Sequence, residues 1–247
     1  MAIQYENAPI KEALIDIRVE LPANVSIEIL ETIHGRVKDK YPTKNKSLQL
    51  NTRISAVDEV GASAHQTHLG FIFTSEDGKQ IMQARRDGFT FGRMKPYGNW
   101  IELRDEAKRL WDIYCDVTSP IKIGRLAVRY INQIDIPFAV LDYKDYFYTT
   151  PEVSPKLSQT ISAFFMQIHF PQPSIDGMLI LTQAVVPPPG PNMNSVILDL
   201  DVFKVGDFTA IDEIWVTLNK LRGIKNEFFE GSITDKTREL FGTRSEY

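Results

Sequence analysis

The sequence predicts an α+β fold, with antiparallel, hairpin-rich sheets and three to four amphipathic helices packed on them. Three observations lead to this prediction. Apolar and polar residues alternate along several segments, Asp-Gly dipeptides separate three pairs of such segments, and apolar residues recur at helical spacing elsewhere. The strands come in runs instead of alternating singly with helices, which favours α+β over a doubly wound parallel sheet.

The first elements are a strand and a helix. Residues 13 to 20 alternate as a half-buried strand does. A helix follows, with Asn24 or Ser26 as its cap, and Pro42 ends it. Residues 47 to 57 have strand character again. Between His68 and Met94, the turns Asp77-Gly78 and Asp87-Gly88 predict a three-stranded meander.

A second helix and the longest strand come next. Asn99 and Glu102 have the spacing of a capping box, and an apolar helical stripe follows them: Leu103, Ala107, Leu110, Trp111 and Tyr114. The strand is predicted over residues 121 to 136, where apolar residues occupy one parity and Arg125, Arg129 and Gln133 the other.

The second half of the chain again contains an Asp-Gly hairpin turn and capping-box spacings. Residues 138 to 157 are rich in tyrosine, aspartate and proline and suit a boundary, so we predict α+β halves over 1–137 and 138–247, or one continuous domain. A third hairpin, over 161–170 and 178–186, turns at Asp176-Gly177, and a strand over 196–203 follows. Two further helices are predicted from capping-box spacings, Thr209 with Asp212 and Ser232 with Asp235. A strand before an amphipathic helix in both halves makes a duplication conceivable.

Composition excludes several classes of protein. The net charge of −4 argues against a surface that grips nucleic acid throughout. Cys115 is the single cysteine, so neither an intramolecular disulfide nor a thiolate metal cage can form, and a reducing compartment is favoured. The N-terminus lacks the pattern of a signal peptide, and no run approaches the ~18 apolar residues of a spanning helix. We therefore expect a cytoplasmic protein that does not act at a membrane.

Arginine side chains form the first candidate ligand site. Arg125 and Arg129 project from the same side of a strand, ~13 Å apart, and Arg85 and Arg93 of the meander are expected to extend this patch. Guanidinium groups match phosphate and carboxylate geometry. The simpler interpretation is a solvated sheet face whose arginines pair with nearby acids: Asp16, Glu20, Asp199 or Asp201.

Other candidate chemistry is weaker. Asp199 and Asp201 share a strand face and could hold a divalent cation, although two half-exposed strand positions explain them more simply. Neither a Gly-x-x-x-x-Gly-Lys loop nor a Gly-x-Gly-x-x-Gly fingerprint occurs, and no cofactor is predicted. An aromatic cluster near basic residues could stack on single-stranded nucleic acid, although core packing is favoured for it: Phe89, Phe91, Tyr97 and Trp100. Cys115, near the end of an apolar helical stripe, is predicted to be a core residue and not a nucleophile.

Two motifs carry a resemblance to a known family. Residues 5 to 10 read Tyr-x-Asn-Ala-Pro-Ile, and residues 125 to 132 contain Arg-x-x-x-Arg-Tyr-Ile-Asn. With residues 12–18 and 100–111, these segments resemble a sporadically distributed bacterial protein family with no established activity, over nearly the whole chain. The resemblance implies a bacterial cytoplasmic protein with an accessory role, such as defence or a toxin and antitoxin pair. It supplies no catalytic residues.

Two functions stay open at this point. The leading hypothesis is a non-enzymatic binding protein of a bacterial accessory system, with its arginine-bearing sheet face toward a protein partner. The alternative is an enzyme or receptor for a phosphorylated ligand or nucleic acid, with Arg125 and Arg129 for the anion and Asp199 and Asp201 for a cation. That alternative requires the four side chains to converge within ~10 Å. Self-association through sheet edges is a third arrangement.

Overall fold

A computed structural model describes residues 3–55, 61–137, 142–242 and 244–246. The fold is α+β, with a large antiparallel sheet and four α-helices among these residues. The helices are α1 (Ile27–Val37), α2 (Trp100–Thr118), α3 (Ile211–Ser232) and α4 (Asp235–Glu239), with a 3-10 turn at Tyr143–Asp145. The strands are β1 (Ile3–Tyr5), β2 (Ile10–Glu20), β3 (Thr43–Ser55), β4 (Gly61–Thr74), β5 (Gln80–Arg85), β6 (Gly88–Met94), β7 (Lys122–Ile136), β8 (Phe165–Gln172), β9 (Gly177–Val186), β10 (Asn194–Phe208) and β11 (Arg244–Glu246).

Nine strands form one sheet in the order β3-β4-β5-β6-β2-β7-β10-β9-β8, and β1 pairs separately with β11. All described pairings are antiparallel. Because β7 pairs with both β2 and β10, the sheet is continuous across residue 137. The predicted halves therefore share this sheet.

The two halves share a core topology, to which the first half adds α1 and β3. In each, a first strand (β2 or β7) precedes a three-stranded meander (β4-β5-β6 or β8-β9-β10), and the last meander strand returns beside the first strand. An amphipathic helix, α2 or α3, then follows. In this correspondence β2 matches β7, whereas the strand that directly precedes α3 is β10.

The core lies between the sheet and the helices α1, α2 and α3. One row of register partners crosses eight strands on this face: Phe73, Met82, Phe91, Ile15, Val128, Val202, Leu179 and Phe170. All of these side chains are buried except Phe170, which is half-buried. The apolar positions of the eight strands therefore line up across the sheet and form one apolar layer under the helices. The aromatic ring of Trp111 from α2 packs edge-on against Phe89.

Most local predictions are confirmed. All three Asp-Gly dipeptides lie at hairpin turns, with positive φ at Gly78 (72°) and at Asp176 (50°). Asn99 caps α2, its Oδ1 accepting from Glu102 N at 3.0 Å. The strand predicted over 47–57 is β3 as far as Ser55, and residues 56 and 57 lie outside the described residues, as do 138–141 of the predicted boundary segment.

Two helix caps were predicted wrongly, and Ser26, which occupies the N-cap position of α1, makes no side-chain capping bond. The helix α3 begins at Ile211 after Ala210, with no side-chain cap from Thr209. It continues through Ser232, whose hydroxyl donates to Phe228 O at 2.6 Å, and Thr234 caps α4 instead. A serine four residues after a carbonyl in a continuing helix bonds back to it, and sequence spacing does not reveal that the helix continues.

No helix in the described parts of the chain combines the length and the apolar character that crossing a membrane requires.

Candidate binding site on the open face of the sheet

The site lies on the sheet face opposite α1, α2 and α3, which we call the open face. Three rows of register partners on β6, β2, β7 and β10 build it: Thr90, Asp16, Ala127 and Phe203; Gly88, Arg18, Arg125 and Val205; Gly92, Leu14, Arg129 and Asp201. Glycine and alanine leave space between the long side chains. The result is a concavity of about 420 Å³ lined by Leu14, Asp16, Arg18, Gln83, Arg85, Thr90, Arg125, Ala127, Arg129 and Asp201.

Asp16 is the centre of the ion-pair network. Its Oδ1 accepts from Arg18 Nε and from Arg125 Nη1, both at 3.0 Å. Its Oδ2 accepts from Arg85 Nη2 at 3.1 Å and from Thr90 Oγ1 at 2.8 Å. One carboxylate from β2 thus orients side chains from β5, β6 and β7.

Two further carboxylates, from β10, hold the β7 arginines. Arg125 Nη2 donates to Asp201 Oδ2 at 3.2 Å, and its guanidinium lies 4.3 Å from the ring centroid of Phe203. Arg129 meets Asp199 with two nitrogens, Nε to Oδ1 at 2.9 Å and Nη2 to Oδ2 at 2.5 Å. This fork geometry fixes the plane of the Arg129 guanidinium.

The two cavity carboxylates differ in electrostatic environment. Burial by itself favours the protonated form of Asp16, but Arg18, Thr90, Arg85 and Arg125 outweigh it and lower its pKa below the usual value. Burial raises the pKa of Asp201, and Arg125 and Arg129 offset this only in part. Asp16 is therefore a firmly ionised anchor, while Asp201 is the less stabilised anion.

The arginines lie outside the carboxylates that hold them. The side chains of Arg129 and Arg18 are 43% and 42% exposed, whereas those of Asp199 and Asp16 are 11% and 10% exposed. Arg129 Nη1 and Arg18 Nη2 donate no hydrogen bond to the described residues. The open face consequently presents oriented N–H donors to solvent.

The structure brings together three of the four predicted arginines. Arg85, Arg125 and Arg129 all line the concavity, and their partners include the predicted acids Asp16, Asp199 and Asp201. Arg93 does not belong to this group. It has the parity of Phe89 and Phe91, so it lies on the helix side of the sheet, where Nη1 contacts Glu102 Oε2 at 2.6 Å.

The predicted cation ligands are engaged by arginine. Arg125, Arg129 and Asp201 line the concavity, Asp199 pairs with Arg129 without lining it, and each aspartate faces a guanidinium. In the described part of the chain, no three His, Cys, Asp or Glu side chains are arranged to hold a metal ion. The arrangement fits ion pairing better than cation binding.

Two residues of the site, Arg18 and Thr90, were not predicted from the sequence. Arg18 lines the concavity and also contacts Asp87, which accepts from Arg85 Nε at 3.0 Å as well. Thr90 lies on the floor between Gly88 and Gly92. The available signal was the alternation of residues 88–92, Gly-Phe-Thr-Phe-Gly, which places two phenylalanines in the core and small residues on the other face.

The remaining candidates lie in the core or pack against it. Phe89 and Phe91 are buried on the helix side of the sheet, and Trp100 is buried at the start of α2. The half-buried Tyr97 packs edge-on against Tyr130, so these rings pack within the protein and do not form a stacking surface for nucleic-acid bases. Burial raises the pKa of the Cys115 thiol to about 12, so the thiol is protonated at neutral pH.

A scan against protein-family models finds no family that matches this chain, and a search of curated proteins finds no matching relative. The resemblance to the sporadic bacterial family stays a prediction.

Proposed function

We propose that this chain is a non-enzymatic binding protein whose open face recognises acidic side chains of a protein partner. The observation that carries the proposal is that four guanidinium groups, from Arg18, Arg85, Arg125 and Arg129, line one concavity. Arginine forks match carboxylates in geometry and charge. A cytoplasmic, bacterial accessory setting, such as defence or a toxin and antitoxin pair, is part of the proposal and depends on the family resemblance.

Preorganisation supports binding at this face. Asp16 and Asp199 hold their arginines from beneath, so the outward N–H groups of Arg18 and Arg129 need little further ordering when a ligand arrives. Side chains already fixed by ion pairs lose less conformational entropy on binding than flexible ones.

Charge balance favours a protein partner over a polyanion. The four arginines are matched by four carboxylates (Asp16, Asp87, Asp199 and Asp201), so the local formal charge is 4 − 4 = 0. A phosphate dianion beside Asp201 meets stronger repulsion than a single carboxylate does. The alternation of arginines with aspartates instead complements a peptide surface on which the acidic side chains that meet the arginines are accompanied by basic ones.

The alternative, a receptor or enzyme for a phosphorylated ligand or nucleic acid, has one observation in its favour: Arg125, Arg129, Asp199 and Asp201 lie together. Titration of the purified protein with inorganic phosphate and with a short single-stranded oligonucleotide tests it directly.

The proposal itself is tested by panning a random peptide library against the purified protein. We expect enrichment of peptides containing Asp or Glu, and loss of that enrichment in the Arg125→Gln, Arg129→Gln double variant. Arg36→Gln is the matched control, because Arg36 is also an exposed, ion-paired arginine (2.9 Å to Asp116) but lies on α1. Enrichment without acidic residues, or enrichment that the double variant retains, would contradict the proposal.

A further inference from the structure

Strand β8 forms one end of the nine-stranded sheet. In the described residues it pairs only with β9, and its side chains alternate between exposed and half-buried positions. Phe165, at its start, is 72% exposed. An edge strand of this kind offers backbone groups to another strand.

The hydrogen-bond pattern identifies the outward groups. Val185 N donates to Phe164 O at 3.1 Å, so the residues bonded to β9 are 164 and every second residue after it. Phe165, Gln167 and His169 therefore direct their N–H and C=O groups away from β9. Pro171 falls in the same set, where its missing N–H costs no bond within the sheet.

The edge lacks the charges that usually prevent strand addition. Residues 157–175 contain no Asp, Glu, Lys or Arg. The opposite edge, β3, carries the exposed lysines Lys44 and Lys46. Because charged side chains, lysine especially, discourage pairing between edges, β3 is protected and β8 is not.

Strand β8 is complementary to itself. In an antiparallel pairing of two copies about a two-fold axis at Gln167, Phe165 of each copy faces His169 of the other, and the two Gln167 residues face each other. On the helix side, Met166 faces Ile168 of the other copy, and Phe164 faces Phe170. Three facing pairs with two hydrogen bonds each contribute about six intermolecular bonds. Cross-strand apolar pairs stabilise such a ladder further.

We propose that two copies of this chain associate through antiparallel pairing of β8 with β8, which joins their sheets into one continuous sheet. Each edge supplies the other with the backbone partners it lacks, and no ionised side chain is brought into repulsion. The interface lies at the far end of the sheet from β3 and is separate from the β5-β6-β2-β7-β10 surface proposed to bind a partner.

The first test is mass in solution. For a chain of 28.2 kDa, sedimentation equilibrium is expected to give 2 × 28.2 = 56.4 kDa at micromolar concentration. Gln167→Pro removes an outward N–H without removing a bond to β9, and we expect it to weaken dimerisation at least ~10-fold while the fold is retained. Gln167→Ala keeps the N–H and is expected to stay dimeric.

The register is tested by cross-linking. Facing residues of a hydrogen-bonded antiparallel pair lie ~5.5 Å apart at Cα, within disulfide range, so Gln167→Cys is expected to form an intermolecular disulfide on oxidation. His169→Cys is the matched control, since residues 169 of the two copies would lie ~13 Å apart and would not link.

A mass of one chain up to ~100 μM, or a dimer that Gln167→Pro leaves intact and Gln167→Cys fails to cross-link, would overturn the proposal. A monomer whose edge instead pairs with an extended segment of a different protein would also overturn it. Circular dichroism of each variant separates loss of association from loss of folding.

Discussion

Asp16 on β2 and Arg85 on β5 form a buried ion pair of 3.1 Å that spans the intervening strand β6. Their side chains are only 10% and 7% exposed. Thr90 on β6 donates to the same carboxylate oxygen, so three neighbouring strands are joined beneath the concavity.

Asp16→Asn is expected to reduce the free energy of unfolding by about 3–5 kcal/mol at pH 7, because it leaves buried guanidinium charge without its partner. The pKa of Asp16 is lowered on folding, so the unfolded chain takes up the proton first and this stabilisation disappears as pH falls through the folded pKa. Urea unfolding at pH 7 and near pH 3 should show the difference between variant and wild type shrinking in acid. Asp116→Asn, at an exposed ion pair, should change stability by less than about 1 kcal/mol. Equal effects of the two substitutions would contradict this account.

The buried Lys225 is expected to make the stability of the protein rise with pH above neutrality. It is buried in α3 with its Nζ 4.0 Å from the ring centroid of Tyr130, and burial, then repulsion from Arg222, lowers its pKa to about 7 despite Glu230. Above pH 7 the unfolded chain binds the proton that the folded chain lacks, so stability should rise with pH. We expect a gain of about 1 kcal/mol between pH 7.5 and 8.5.

Lys225→Met should abolish this slope and stabilise the protein at pH 7 by about 1–3 kcal/mol, since it removes the cost of burying the amine. Chemical denaturation at the two pH values measures both effects. Lys220→Met, at an exposed position of the same helix, should preserve the slope. A wild-type protein with flat stability over this range would count against the lowered pKa.

Two glycines should respond in opposite directions to substitution by alanine. A Cβ on Gly88 would lie 2.4 Å from Ile17 O, so Gly88→Ala must push β6 away from β2 and is expected to cost about 1–3 kcal/mol. Gly223 lies inside α3 with open space at its Cβ, and Gly223→Ala should stabilise by about 1 kcal/mol. Thermal unfolding of the two variants checks both signs, and a tolerated Gly88→Ala would show that the strands can separate.

Gln183 is a buried polar side chain without a partner. It is fully buried on β9, and in the described structure neither its Nε2 nor its Oε1 has a hydrogen-bond partner. Gln183→Met keeps the volume and removes the desolvated amide, so we expect a gain of about 1–2 kcal/mol in urea unfolding. Gln80→Met should not stabilise, because Gln80 Oε1 accepts from Tyr41 Oη at 3.1 Å. A loss of stability at Gln183→Met would indicate a hidden partner for the amide.

Much of the local structure was readable from the sequence. Alternation placed Arg125 and Arg129 on one side of β7, and Asn132 on the other. On that other side Asn132 satisfies a backbone carbonyl, since its Nδ2 donates to Leu198 O at 2.9 Å. Such features depend on neighbours within a few residues and on side-chain periodicity, which the sequence determines.

The site depended on strand order, which local patterns do not contain. Arg125 meets Asp16 only because β2 inserts between β6 and β7. Arg93, by contrast, is separated from this face by strand parity alone, because it shares the parity of Phe89 and Phe91. The sequence by itself determined the elements, the turns and which residues share a strand face. Tertiary structure alone decided which faces adjoin, because pairing between strands over a hundred residues apart is set by long-range burial and register rather than by local propensity.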